Sequence, residues 1–122
     1  MKRYTKDHEW VEIAGKEAVV GISKHAAEEL GDITYVELPA EQSKIEAGDS
    51  LGVIESVKAA SDVYSPVGGT VVAVNTQLED CPELVNASAE EEGWICRITG
   101  FDESDLDDLM DTDAYAEFIR SK

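Results

Sequence analysis

Among the residues able to do chemistry, Lys58 has the most unusual surroundings. It is the only basic residue between Lys44 and Arg97, in a chain with 27 acidic and 10 basic side chains. Taken alone, a single lysine is most often a solvated surface residue, so its isolation marks it without assigning it a role. The other reactive residues point to less. Cys81 and Cys96 form no Cys-x-x-Cys pair and have no partners at ligand spacing, so two free thiols are expected and not a metal centre or a redox dithiol. His8 and His25 have no visible partner for acid–base work, and His25 reads as a helix-surface residue. The acids after Gly100 lack the order and the mid-loop glycine of a calcium loop, so no metal site is expected. With no nucleophile–base pair in sight, the residues alone offer no catalytic centre, and the chain is not expected to be an enzyme.

The segment that must position Lys58 is ambiguous by periodicity. Val53, Val57, Ala60 and Val63 could form one face of a helix with Glu55 and Lys58 outside. A strand, a turn and a second strand fit equally well, because the flanks alternate and a type I turn accepts most residues. Composition does not decide between them.

The remaining elements are clearer. Residues 10–13 alternate, Ala14-Gly15-Lys16 gives a turn, and residues 18–22 resume as a strand, which makes a hairpin. Ser23 caps a short helix through Leu30, with Gly31 at its C-terminal end. Residues 33–38 read as a strand closed by Pro39, and 40–49 as a polar connection. Residues 69–74 form a strand after the turn 65–68. Asn75 or Thr76 is expected to cap a helical turn towards Pro82, and 93–98 is expected to be another strand. Short strands at intervals of about ten residues, punctuated by Gly and Pro, indicate a small sandwich or barrel. After Gly100 the acids of 102–108 sit where a helix N-terminus favours them. A second helix, capped by Thr112, presents Tyr115, Phe118 and Ile119 at helical spacing, and this tail is expected to pack on the β domain.

The chain of 122 residues suits one domain, a β part over 1–100 with a helical tail over 101–122, and its apolar fraction of 43% is enough to fold. A formal net charge of −17 repels phosphate backbones and anionic lipid, so neither nucleic acid nor a membrane is an expected partner. No apolar stretch has the length of a signal peptide or a membrane span, and a cytoplasmic location is expected.

Glu55-Ser56-Val57-Lys58-Ala59, within residues 52–66, resembles the lipoylation motif of the glycine cleavage system H proteins. Three further stretches agree with that family: residues 4–10, residues 31–39 and Pro82-Glu83-Leu84-Val85-Asn86. The resemblance spans essentially the whole chain. It implies a mostly β lipoyl/biotinyl-type barrel-sandwich hybrid with short helices and a helical C-terminal tail, in which residues 50–57 and 61–64 flank a hairpin with Lys58 near its tip. It further implies lipoate on Lys58. The lipoyl arm would take the aminomethyl group of glycine from the pyridoxal phosphate-dependent glycine decarboxylase to the tetrahydrofolate-dependent aminomethyltransferase, and dihydrolipoamide dehydrogenase would reoxidise it. The carrier would work as a monomer.

The resemblance also assigns roles to acids. Glu9, within His8-Glu9-Trp10, is the expected anchor of a cleft that holds the cationic loaded arm, with Asp62 and Asp7 assisting. Glu55 is expected to be read by the lipoylating enzyme. One departure stands out: Ala89-Glu90-Glu91 replaces the family's Pro-Tyr-Gly, and three successive acids without Pro or Gly suggest a looser turn. Val57 and Ala59 replace the Met residues of a biotin carrier, and the linker and further domains of a 2-oxo acid dehydrogenase are not seen. An H-like carrier or lipoate relay outside glycine catabolism and an unmodified acidic interaction module are the competing readings.

Overall fold

The computed structural model describes residues 2–120. Along them run β1 (Lys2–Tyr4), β2 (Glu9–Ala14), β3 (Glu17–Ile22), α1 (Lys24–Leu30), β4 (Ile33–Glu37), β5 (Lys44–Ile45), β6 (Ser50–Ser56), β7 (Ala60–Tyr64), β8 (Gly69–Val74), α2 (Gln77–Asp80), α3 (Leu84–Ser88), β9 (Cys96–Thr99) and α4 (Thr112–Arg120). Six strands form one antiparallel sheet in the order β1-β2-β3-β9-β8-β5, and three form a second in the order β4-β6-β7. The mostly β architecture is as expected. The ambiguous segment around Lys58 resolves as the hairpin β6–β7, with Val53 opposite Asp62 and Ile54 opposite Ser61.

The main core is built from the facing sides of the two sheets, with Val11, Val20, Ile54, Val63, Val71 and Ile98 all buried. A smaller cluster lies on the other side of β2 and β3, where Tyr4, Trp10 and Val19 meet Tyr115 of α4. Residues 9–11 are therefore buried on both faces of the strand. The tail is tied down by backbone as well. Tyr4 N donates to Met110 O at 2.7 Å, Met110 N donates to Tyr4 O at 2.9 Å, and the Tyr4 and Tyr115 rings stack 4.3 Å apart. An aromatic pair of this kind adds about 0.5–1.5 kcal/mol beyond the area it buries. Of the two thiols, Cys81 is exposed and Cys96 is buried, where loss of water pushes its pKa up to about 12.

Several local expectations need correction. Ser23 does cap α1, accepting from Ala26 N at 3.1 Å, but α4 is capped by Asp111, whose Oδ1 accepts from Ala114 N at 2.8 Å. Thr112 is already helical. The acidic segment after Gly100 forms a 3₁₀ turn, Glu103–Leu106, and not an α-helix. Asp102 Oδ1 satisfies Ser104 N at 2.9 Å, and closely spaced Asp and Ser side chains that bond nearby backbone compete with longer helix. Neither Asn75 nor Thr76 caps α2 through its side chain. The buried Asn75 amide instead donates to Glu92 O at 2.8 Å and Trp94 O at 2.9 Å. That bonding spans the approach to β9, which starts three residues later than expected. β5 comes from the stretch read as a polar connection, and β1 from one to which no element was assigned.

Trp10 is placed by its neighbour across the sheet. It faces Gly21 in the β2–β3 register, and its Nε1 donates to Ala89 O at 3.0 Å. A Cβ on Gly21 would lie 2.8 Å from that same nitrogen. The ring is fully buried and is held by that hydrogen bond, so making room costs packing or the bond. Gly21→Ala should therefore cost about 1–3 kcal/mol and lower the thermal midpoint by several degrees, measured by circular dichroism. An unchanged midpoint would show that Trp10 moves freely.

Candidate functional site

The tip of the β6–β7 hairpin is closed by one side chain. Ser56 N donates to Ala59 O at 2.8 Å, and Ser56 Oγ accepts from both Lys58 N and Ala59 N at 3.1 Å. Val57 N donates to Asp32 O at 3.0 Å, which ties the turn to the segment after α1. The backbone of the tip is thus pinned while the Lys58 side chain stays exposed. In the sequence Ser56 was only one residue of the motif around Lys58. Its hydroxyl is what organises the turn.

The lysine stem runs past the end of α1. Gly31 adopts φ +78°, and a Cβ there would lie 3.3 Å from Lys58 Cε. Asn86 secures this corner, accepting from Ile33 N at 2.9 Å and donating to Gly31 O at 2.8 Å. A side chain at position 31 would therefore crowd the lysine stem.

Beside this stem is a cleft of about 160 Å³. Glu9, Asp7 and Asp62 line it together, with Leu30, Ile54 and Val63 as apolar wall. Glu55 lies outside it, near the hairpin tip, opposite Ala60 and Tyr35. Trp10, adjacent to Glu9, packs in the cluster on the other face of the strand. The structure therefore separates the three acids from Glu55 and connects them to Lys58 through the end of α1, since Leu30 walls the cleft and Gly31 meets the lysine stem.

Glu9 is only 3% exposed. Thr5 Oγ1 donates to its Oε1 at 2.6 Å, and Tyr64 N donates to its Oε2 at 3.3 Å. Thr5 Oγ1 also accepts from Asp7 N and Glu9 N, both at 3.1 Å, so one hydroxyl folds the turn and holds the carboxylate. Sequence reading missed Thr5, although a threonine four residues before a candidate acid is a recognisable turn former. Loss of water pushes the Glu9 pKa above its ordinary 4.5, the bonds from Thr5 and Tyr64 pull it down, and nearby Asp7 raises it again.

The structure also revises the histidines. His25 Nε2 lies 2.5 Å from Glu29 Oε1, and the His8 and His25 rings stand 5.0 Å apart. His8 Nδ1 is 2.7 Å from Tyr115 Oη, which is 2.7 Å from Ser23 Oγ. The turn at 89–91, expected to be loose, is tied. Glu90 accepts from Tyr4 Oη at 2.6 Å and from Lys24 N at 2.9 Å, and its backbone oxygen accepts from Lys2 Nζ at 3.0 Å.

A rigid β scaffold that holds up a lysine on a locked hairpin, next to an acid-lined cleft, is the design of a carrier domain. The family model for the glycine cleavage H-protein matches residues 2–122. A glycine cleavage system H protein of Thermotoga maritima is 51% identical over 118 residues, covering 97% of this chain and 95% of that protein. One of Phenylobacterium zucineum is 51% identical over 117 residues, with 96% and 97% covered. The crystal structure of a glycine cleavage system H protein from Mycobacterium marinum superposes with a TM-score of 0.87 at 33% identity, covering 97% of this chain and 95% of that one. This chain belongs to the glycine cleavage H-protein family, the non-catalytic lipoyl carriers of glycine cleavage. No helix among the described residues is long and apolar enough to cross a membrane.

The raised pKa of Glu9 has a sign that can be tested. The folded protein holds a proton on Glu9 more tightly than the unfolded chain does, so this stabilisation is fully present below the ordinary value of 4.5 and is lost as pH rises through the folded value. A carbon-13 titration of the Glu9 carboxyl should give a midpoint above 4.5. Over the same window, wild type should lose stability relative to Glu9→Gln as pH rises. A midpoint at or below the ordinary value contradicts this account.

Proposed function

We propose that Lys58 carries the lipoyl group and that the Glu9 cleft receives its cargo. The observation that supports this most is the pairing of a pinned turn backbone that leaves the lysine exposed with an acid-lined cleft at the same end of α1. When bound, lipoate supplies a cyclic disulfide able to accept a one-carbon amine and to be reoxidised afterwards. The polypeptide supplies position and shelter. Ser56 fixes the pivot, Gly31 leaves the path open, and Leu30, Ile54 and Val63 exclude water on one side of the cleft.

The carboxylates provide the charge. An amine carried on the arm is cationic, and ionised Glu9 accepts a charge-assisted hydrogen bond from it while Thr5 and the Tyr64 amide hold the other lone pairs. Asp62 and Asp7 add to the negative potential. Cargo binding would favour the ionised form of Glu9 and so oppose its raised pKa. Glu55, exposed and near the tip, is placed to be read by the lipoylating enzyme.

The partners in this reading are glycine decarboxylase, aminomethyltransferase and dihydrolipoamide dehydrogenase, which the carrier serves as a cytoplasmic monomer. Residues 1–122 act as one lipoyl-carrier domain, the tail packed on the β part.

Two experiments test the lysine assignment. Intact mass with fragment localisation on natively expressed protein should find one lipoyl group, at Lys58 and on none of the other six lysines. Lys58→Arg should fold as wild type by circular dichroism yet fail in glycine–bicarbonate exchange, because arginine keeps the charge and lacks the acylable amine. Lipoylation elsewhere, or full exchange activity in the variant, would overturn the assignment.

Glu9→Gln should leave lipoylation intact and shorten the life of the amine-loaded carrier. A charge-assisted hydrogen bond contributes about 1.5–3 kcal/mol, so release should quicken by roughly tenfold to a hundredfold. The check is to load both proteins from glycine, remove the decarboxylase and follow the adduct by mass spectrometry. Equal lifetimes at low salt would reject Glu9 as the anchor and move attention to Asp62.

A further inference from the structure

We infer that His8, His25 and Glu29 form a binding site for a divalent transition-metal ion, with zinc as the best-matched occupant. Their ligand atoms all lie within 4.8 Å of one another. His25 and Glu29 are one turn apart on the same face of α1, where positions i and i+4 meet. His8 reaches them from the turn before β2, with its ring tilted 46° to that of His25.

The chemistry of the set is selective. Two imidazoles and one carboxylate suit zinc and its neighbours, whereas calcium and magnesium prefer oxygen alone. Three protein ligands leave a coordination position for water or an incoming group. In a tetrahedral zinc site the ligand atoms stand about 3.3 Å apart. No pair therefore has to close by more than about 1.5 Å, while the 2.5 Å contact of His25 with Glu29 has to open by about 0.8 Å, which the exposed Glu29 side chain can do. A bound metal would replace the direct contact between His25 and Glu29.

Two further observations single out His8. It has φ +69°, a left-handed conformation that non-glycine residues seldom adopt and that concentrates at functional sites. Its Nδ1 is hydrogen-bonded to Tyr115 Oη, which Ser23 in turn holds. A partner on one ring nitrogen is how proteins orient a ligating histidine. The excess of negative charge over the molecule raises the local concentration of cations.

His8 and Glu29 also line the cleft that contains Glu9. A dication held there would oppose the entry of a cationic cargo, a consequence that rests on the carrier reading above. The binding test does not depend on that reading.

The test titrates zinc ions into metal-free, tag-free protein and follows the histidine ring nitrogens by NMR, with calorimetry for stoichiometry. One equivalent should bind and should shift the ring signals of both His8 and His25. His25→Ala and Glu29→Gln, the first half-buried and the second exposed on α1, should each weaken binding by at least about tenfold, since even outer partners of metal ligands are worth about 10–100-fold. Cys81→Ser, which removes the exposed thiol, should leave binding unchanged. Ring signals that stay in place at millimolar zinc, undiminished binding in the α1 variants, or binding lost only with Cys81 would each overturn the site.

Discussion

A carboxylate removed from water must be given donors, and the arrangement around Glu9 follows from that requirement. Its two oxygens are met by the Thr5 hydroxyl and the Tyr64 amide, which come from the turn before β2 and from the end of β7. The same hydroxyl closes the turn over residues 5–9, and the turn forces His8 into its left-handed conformation. The two sheets are thereby joined at a polar point as well as through their apolar faces. Satisfying one buried charge fixes the cleft, its distance from the lysine hairpin and the direction in which His8 points.

The tail depends on a second such arrangement. β2 and β3 have apolar residues on both faces, and α4 covers the side that the main core leaves bare. Glu90 then fastens the edge of that cover by accepting from Tyr4 and from the first turn of α1. Tyr4 pays for this proximity in acidity: burial first, and the Glu90 carboxylate second, push its hydroxyl pKa well above the usual phenol range. An acid in place of the family's usual turn residues makes the segment more tied and not less, because its partners arrive from β1 and α1.

What was legible in the sequence were features set by near neighbours. Alternation over 10–13 and 18–22, the Ser23 cap and the left-handed Gly31 all depend on residues a few positions apart. The ambiguity at 53–63 could not be settled that way, since only pairing of β6 with β4 and β7 decides for strand. β1 and β5 are three and two residues long and owe their strand character to partners across the sheet. Of the site, Lys58 and the three acids were marked by resemblance, while Thr5, Ser56 and Asn86 were not, because a hydroxyl or amide reveals its role only through the backbone it meets. His8, His25 and Glu29 escaped for the same reason, two elements having to dock before their side chains converge.

The pinned turn beneath Lys58 also changes the arithmetic of encounter. On the proposed role of Lys58, a tether whose base is fixed sweeps a small volume, so its cargo is present there at a high effective concentration once a partner has docked. Docking itself can then be weak. A carrier that must visit several enzymes in turn gains from brief contacts, because each residence delays the next, and the rigidity of a four-residue turn is what lets fast dissociation coexist with efficient delivery.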